Sequence, residues 1–288
     1  MDRPCITSVR ATVCALLGLP APEGAEPAAA QIIEAAKGAF TAAQQLDFSN
    51  VELTTEPMPD ASNTTFSGAL CDRVFMYNPD AIAQWIFEQY RDRFSGAIFE
   101  NSLIIPMLSV VPPVTPVCFG SMYSGVQPKV HGIMRYEKPV LRVLTIFDDV
   151  AASGRRAAIV STTWDSISLI FLERDIDYYI YDSVEKCNKK ALELIEADKY
   201  DLIVLYNGDY DYRMHRVGPE GRAALKALDA NVKTFSILHE SVKKNWQGHR
   251  TALAFAPDHG CHRWFGLLGT HGKDIPQDMH INHIWTFI

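Results

Sequence analysis

The chain has 288 residues, of which 48% are hydrophobic and 21% charged, and this usage is typical of a globular protein with a sizeable core. Its 27 basic and 34 acidic side chains give a formal net charge of −7. Because phosphate groups attract positive charge, we expect neither a nucleic-acid polymer nor a membrane as a partner, whereas a small phosphorylated substrate stays compatible with this balance.

The cysteines and the apolar runs bear on the cellular compartment. The six cysteines are scattered without a CxxC pair, so we expect neither a disulfide framework nor a thiolate zinc site. No run of about twenty apolar residues predicts a membrane span. Arg10 interrupts the apolar part of the first segment, which disfavours a signal peptide. The sequence therefore predicts a cytoplasmic protein.

The first 70 residues differ in pattern from the rest of the chain. An amphipathic helix is predicted to end at Gly18, and a Pro/Ala-rich linker and a polar stretch at 54–65 follow it. We interpret residues 1–70 as an N-terminal helical extension or cap and residues 71–288 as the main domain.

From residue 71 onward, short apolar runs alternate with segments of helical period. The predicted strands cover 73–77, 156–162, 177–182, 201–206 and 251–256, and the predicted helices cover 81–94, 184–197 and 220–246. This alternation predicts an α/β fold with a doubly wound, mostly parallel central sheet and helices on both faces.

Acidic and imidazole side chains follow three of these predicted strands. They are Asp80 after the first strand, Asp211 after the fourth, and Asp258 and His259 after the fifth. Parallel α/β sheets gather their chemistry at the carboxyl ends of the strands, so we expect these side chains to lie close together.

The segment DYRMHRVGP places Asp211 four residues before His215. On a helix this spacing puts both side chains on one face, and a carboxylate with an imidazole suits zinc or manganese. An acidic residue at a helix start beside a surface histidine explains the pair equally simply. Asp209 is an alternative ligand, but it lacks the four-residue spacing to His215.

The segment FAPDHGCHRWFGLLGTHG adds further ligand types. Asp258 and His259 are adjacent, and Gly260 lets the backbone turn so that both can face one ion or two. His271 stands between small residues that permit a close approach to a ligand. A polar turn and a plain loop histidine are the simpler explanations of each feature alone, and their combination favours a metal site.

A candidate nucleophile lies in PPVTPVCFGSMYSGVQPKVHGI. Thr115 stands between two prolines, before a segment that could open a helix, whose N-terminal N–H groups favour an anion. Coordination to a metal would lower the pKa of its hydroxyl and make it a nucleophile. A threonine that caps the helix is the alternative.

In chain order, these residues resemble the metal and nucleophile pattern of the alkaline phosphatase superfamily. The Thr115 segment looks like the nucleophile segment of its nucleotide pyrophosphatase/phosphodiesterase branch, and DYRMHRVGP looks like the Asp-x-x-x-His-x-x-Gly-Pro of that branch. The resemblance covers roughly residues 72–271 and implies an alkaline phosphatase-like fold for the main domain.

The resemblance also implies two divalent metal ions, with zinc favoured and manganese as the alternative. One ion would be held by Asp211, His215 and His271. The other would be held by Asp80, Asp258 and His259, with Thr115 bound to it as the nucleophile that forms a phosphothreonine.

We therefore expect a hydrolase that acts on a phosphodiester or a nucleotide-like pyrophosphate. A phosphomonoesterase, a phosphonate (C–P) hydrolase and an inactive, metal-stabilised binding protein are the alternatives. Asn207 and His262 are candidates for contact with the substrate, although Asn207 could instead cap a turn. A homo-oligomer is compatible with the apolar C-terminal stretch IWTFI.

Overall fold

The computed structural model describes residues 3–47, 68–96 and 102–288, so the polar stretch at 54–65 lies outside the described residues. The strands are β1 (Arg73–Pro79), β2 (Ser102–Leu108), β3 (Ala157–Thr162), β4 (Asp177–Tyr181), β5 (Leu202–Asn207), β6 (Thr251–Phe255), β7 (His262–Trp264), β8 (Leu268–Thr270) and β9 (His280–Phe287). The helices are α1 (Ser8–Leu17), α2 (Ala30–Asp47), α3 (Gln84–Gln89), α4 (Thr115–Ser124), α5 (Pro128–His131), α6 (Ile146–Ala152), α7 (Ser166–Ile170), α8 (Val184–Ala197), α9 (Asp209–Val217), α10 (Arg222–Asn245) and α11 (Pro276–Met279).

Seven strands form one sheet in the order β2-β9-β6-β1-β5-β3-β4. Strand β9 runs antiparallel to both β2 and β6, and the other neighbouring strands pair in parallel. This arrangement confirms the predicted mostly parallel sheet. Strands β7 and β8 form a separate hairpin.

Helices cover both faces of the sheet, as predicted for a doubly wound fold. Successive residues of β1 point to opposite faces, as the period of two in a strand requires. Val74 and Met76 pack into one buried cluster with residues of α1, α4 and α6. Phe75 and Tyr77 pack into the other cluster with residues of α8 and α10.

Helix α1 belongs to the core of one face. Nine of its ten residues are buried, and it ends at Gly18, whose φ of 66° makes the left-handed turn that glycine adopts readily. The buried Arg10 pairs with Asp149 at 2.8 Å and donates to the Ser124 carbonyl at the end of α4. The division of the chain at residue 70 stays a prediction.

The helix predicted at 81–94 is shorter in the structure. Only α3 and a 3₁₀ turn at Arg91–Arg93 form there. Ala81 has a φ of 61°, so the backbone makes a left-handed turn before it can enter a helix. Within the described ranges, no helix is long and apolar enough to cross a membrane.

Candidate metal centre

The site lies at the carboxyl ends of three adjacent strands. Strand β1 pairs with β5 on one side and β6 on the other, all in parallel, so the three ends meet at one edge of the sheet. Asp80 directly follows β1, and α9, which carries Asp211, begins two residues after β5 ends. Asp258 and His259 lie in the turn that follows β6.

Asp211, His215 and His271 form one compact cluster, which we call the open group because all three are partly exposed. The two histidine Nε2 atoms are 3.2 Å apart. The Oδ1 atom of Asp211 is 3.3 Å from Nε2 of His215 and 3.4 Å from Nε2 of His271. The four-residue spacing on α9 thus places Asp211 and His215 on one face, and His271 comes from the segment after β8.

Asp80, Asp258 and His259 form a second cluster, the buried group, whose members are fully enclosed. Nε2 of His259 is 3.4 Å from Oδ1 of Asp80 and 3.5 Å from Oδ2 of Asp258. The two groups are neighbours, because the rings of His259 and His271 stack with their centroids 4.1 Å apart.

All three imidazoles turn Nε2 toward a group and Nδ1 toward a backbone carbonyl. Nδ1 of His259 is 2.9 Å from the Gly260 oxygen, Nδ1 of His215 is 3.1 Å from the Gly269 oxygen, and Nδ1 of His271 is 3.0 Å from the Pro113 oxygen. A carbonyl only accepts, so each Nδ1 carries the proton and each Nε2 keeps its lone pair. This tautomer is the one that metal-binding histidines adopt.

The geometry of both groups fits a divalent ion. Nitrogen and oxygen ligands about 2.0–2.2 Å from a tetrahedral zinc lie about 3.3–3.6 Å from one another, close to the distances within each group. Oδ1 of Asp80, Oδ2 of Asp258 and Oδ1 of Asp211 are buried and find no hydrogen-bond partner among the described residues. Buried charged oxygens without partners are costly, and a cation would satisfy them.

The electrostatics of the buried group favour the same conclusion. Burial, with help from the nearby Asp211, raises the pKa of Asp80 to about 7. Burial and the adjacent Asp80 raise the pKa of Asp258 well above its ordinary value. Burial and the neighbouring His271 lower the pKa of His259 to about 3, so its ring is neutral. Two carboxyl groups thus lie together in a buried space, where burial opposes their ionisation.

The open group balances its own charge better. Burial raises the pKa of Asp211, but the imidazoles of His215 and His271 outweigh burial and hold that pKa well below its ordinary range. In return, Asp211 raises the pKa of His215. Burial lowers the pKa of His271, yet Asp211 and Asp80 shift it above its ordinary value.

Thr115 is the first residue of α4, and the extended Val114 precedes it. Its Oγ1 lies 3.3 Å from Nε2 of His259 and 3.4 Å from Oδ2 of Asp80, at the edge of the buried group. The hydroxyl lines a cavity of about 570 Å³ that also reaches Asp80, Asp211 and His215. A reacting molecule in this cavity would therefore touch both groups and the hydroxyl together.

The structure brings together seven of the nine residues that the sequence singled out. They are Asp80, Thr115, Asp211, His215, Asp258, His259 and His271, and their roles as ligands and nucleophile stay predictions.

The two candidates for substrate contact lie elsewhere. Asn207 is buried, and it donates to Tyr77 Oη and accepts from the Asp209 N–H at the start of α9, as a turn cap does. His262 pairs with the buried Asp278 at 2.7 Å. Neither of them lines the 570 Å³ cavity.

The sequence reasoning missed Tyr206, whose buried hydroxyl donates to Oδ2 of Asp80. The alternation along β5 carries the signal, because Tyr206 shares a face with Val204, the face that α4 covers. It also missed three aromatic residues of the cavity wall, Tyr136, Trp164 and Tyr212. They come from loops and a helix surface, where no periodicity marks them.

No protein-family model and no curated protein matches the sequence. Solved structures do match its fold. Human ectonucleotide pyrophosphatase/phosphodiesterase 5 gives a TM-score of 0.56 at 14% identity, over 75% of this chain and 87% of that one. The murine protein of the same name gives 0.50 at 17% identity, over 66% of this chain and 58% of that one.

Phosphonoacetate hydrolase from Sinorhizobium meliloti also has a similar fold, with a TM-score of 0.50 at 16% identity over 66% of this chain and 56% of that one. The chain therefore spans less than two thirds of the length of this hydrolase and of the murine protein. At these identities the similarity concerns the fold, and it confirms the predicted alkaline phosphatase-like architecture.

Proposed function

We propose that the chain is a two-metal phosphoester hydrolase that uses Thr115 as its nucleophile on a phosphodiester or a nucleotide-like pyrophosphate. The observation that carries the proposal is the position of the Thr115 hydroxyl. It lies within 3.4 Å of two members of the buried group and faces a cavity that also reaches the open group. A plain capping threonine would not explain a ligand set of this kind around its hydroxyl.

Each group would hold one divalent ion, and when bound the ions supply positive charge for the phosphate oxygens and activate a hydroxyl or water as a nucleophile. Asp80, Asp258 and His259 would hold one ion beside Thr115, and the open group would hold the other. Nitrogen and oxygen ligands of this kind suit zinc, with manganese as the alternative.

The residues of the chain would orient the substrate for an in-line displacement. Oγ1 of Thr115 forms the new bond to phosphorus while the bond to the leaving oxygen breaks, and water later cleaves the phosphothreonine. Thr115 opens α4, so the partial positive charge at the N-terminus of that helix would favour the phosphoryl oxygens.

The cavity supports a substrate with a flat organic substituent. Its volume of about 570 Å³ falls in the range of small-molecule pockets. Tyr136, Trp164 and Tyr212 are at least half exposed and line it, and such rings can stack on a nucleobase. Lys138 and Arg216 also line it and could contact a second phosphate group.

The fold similarity to phosphonoacetate hydrolase favours one alternative, cleavage of a phosphonate C–P bond with the same metal site. A phosphomonoesterase would use these residues too. These activities differ in the group attached to phosphorus, so the substrates that the cavity accepts would distinguish them.

The first experiment is elemental analysis of the purified protein, combined with hydrolysis assays before and after chelation. We expect about two zinc or manganese equivalents and chelator-sensitive turnover of bis-(p-nitrophenyl) phosphate. Faster turnover of p-nitrophenyl phosphate or of phosphonoacetate would favour the corresponding alternative. Bound metal with no turnover of any of them would favour the inactive binding protein, and absence of bound metal after zinc or manganese addition would refute the metal centre.

A further inference from the structure

The hairpin of β7 and β8 ends in an exposed apolar turn. Residues 264–268, which we call the hairpin tip, have the sequence WFGLL and carry no charge. Phe265 is 80% exposed and Leu267 76%, and Trp264 and Leu268 are also largely accessible. Adjacent large apolar side chains that protrude together into water usually mark a contact surface.

The backbone of the tip indicates that its side chains are not there for folding. Phe265 and Gly266 have φ angles of 40° and 69°, so two successive residues are left-handed. Three residues, Phe265 to Leu267, connect the paired Trp264 and Leu268, and a bulky residue with positive φ is strained. An exposed phenylalanine in this position costs stability and gains little packing, so its side chain suits a contact outside the molecule.

The base of the hairpin is firmly held. Arg263 donates to the Gly266 carbonyl at 2.8 Å and pairs with Glu220. The Gly269 carbonyl accepts from Nδ1 of His215, and His271 follows two residues later. The tip therefore belongs to the same hairpin that positions the open group, with three residues between Phe265 and Gly269.

We propose that the hairpin tip docks on a neutral, zwitterionic lipid surface. The tip carries no charge and exposes large apolar side chains, so it suits insertion among uncharged apolar groups. Tryptophan, phenylalanine and leucine are the residues that enter the headgroup boundary of a bilayer. The net charge of −7 disfavours anionic surfaces, and it leaves neutral ones accessible.

This interaction goes beyond the proposed hydrolysis and does not depend on it. If both are true, docking would bring the open group to the level of the lipid headgroups, where phosphodiesters of amphiphiles are concentrated. The expectation of no membrane partner rested on the net charge, which opposes anionic surfaces rather than neutral ones.

The test is flotation of the full chain with phosphatidylcholine vesicles, with and without phosphatidylserine. The tip variant carries Phe265→Asn and Leu267→Gln, and asparagine tolerates the positive φ of position 265 better than phenylalanine does. We expect the wild-type chain to float with phosphatidylcholine and to bind less as phosphatidylserine is added. The tip variant should lose about tenfold or more in vesicle partitioning while its thermal stability is kept or raised.

The matched control is Ile237→Gln on α10, because Ile237 is also exposed and apolar but lies outside the hairpin. Its partitioning should equal that of the wild type, and Leu267→Gln alone serves if the double variant misfolds.

Failure of the wild type to float with neutral vesicles would overturn the proposal. Concentration-dependent self-association that only the tip variant abolishes would also overturn it and assign the tip to a second copy. Hydrolysis of bis-(p-nitrophenyl) phosphate, measured in parallel, tests the proposed function separately.

Discussion

The two metal-ligand groups differ in charge and in exposure. The buried group combines two buried carboxyl groups with one neutral imidazole and reaches the cavity through Asp80, whereas the open group combines one carboxylate with two imidazoles and lines the cavity through Asp211 and His215. The imidazoles lower the pKa of Asp211 in the open group, and burial raises the pKa of Asp258 in the other. The comparison indicates that the buried group needs a cation to be stable, whereas the imidazoles of the open group nearly balance the negative charge of Asp211.

The difference suggests a division of labour. Thr115 lies against the buried group, so under the proposed function that group would hold the nucleophile in place. The open group is partly exposed and would face the entering substrate. Substitutions beside each group test this difference, and Thr115, which contacts the buried group, should give the largest effect.

The largest effect is expected for Thr115→Ala. Removal of the hydroxyl should lower kcat for a phosphodiester by about 1,000-fold or more, because the displacement at phosphorus loses its nucleophile. All six ligands stay in place, so the metal content measured by elemental analysis should be unchanged. Thr115→Ser should restore much of the activity.

Ser121→Ala, six residues after Thr115 in α4, is the matched control. Its hydroxyl contacts His131, outside both groups, so only stability should change. Substantial turnover by the Thr115→Ala protein would show that the nucleophile is another group, such as water, and would remove the special role of the buried group.

Much of the fold could be predicted from the sequence. The central strands β1, β3, β5 and β6 are short apolar runs bounded by polar residues, and α8 and α10 show a clear helical period. Strand β9 was missed because its sequence, HINHIWTF, places histidines and an asparagine in a buried strand. The buried His283 lies with Nε2 2.9 Å from the Pro257 carbonyl oxygen, a tertiary contact that the sequence does not reveal.

Much of the candidate site could also be predicted, because most of its acidic residues follow the predicted strands. Asp80, Asp211 and Asp258 follow strands, so a parallel sheet alone brings them to one edge. Tyr206 was not predictable as a partner of Asp80, because its role depends on which strand face α4 covers. Nor was the protruding apolar tip, since an apolar pentapeptide normally indicates a buried segment.

A second prediction compares the two groups by stability in the absence of metal. Asp258→Asn should raise the free energy of unfolding of the chelated protein at pH 7 by about 2 kcal/mol, because it removes one of two buried carboxyl groups that repel each other. Asp211→Asn should lower it by about 1 kcal/mol, because the carboxylate that its imidazole neighbours stabilise is lost. Urea unfolding in excess chelator measures both.

The signs follow from the pKa shifts. A raised pKa of Asp258 means that its ionised form opposes folding at neutral pH, whereas the lowered pKa of Asp211 gives stability above its unfolded value that acid would remove. Equal effects of the two substitutions, in either direction, would refute the contrast between the groups. In the presence of metal both variants should lose activity, since each removes a ligand.

The smallest effect is expected for Tyr206→Phe, which changes only the surroundings of the buried group. The Tyr206 hydroxyl donates to Oδ2 of Asp80 and leaves Oδ1 for an ion. Loss of such an orienting partner typically weakens metal affinity or activity by about tenfold. Competition with a metal indicator during titration would measure the affinity of each site.

Tyr123→Phe is the matched control, because Tyr123 is also a buried tyrosine, but its hydroxyl donates to Asn78 at 2.5 Å. It should cost stability without a change in metal affinity. In the open group, backbone carbonyls hold the two imidazoles, so a side-chain substitution cannot remove these partners. If the Tyr206→Phe protein loses metal affinity at one of two sites, that site is therefore the buried group. Equal losses of affinity at both sites would mean that the stacked His259 and His271 rings couple the two groups.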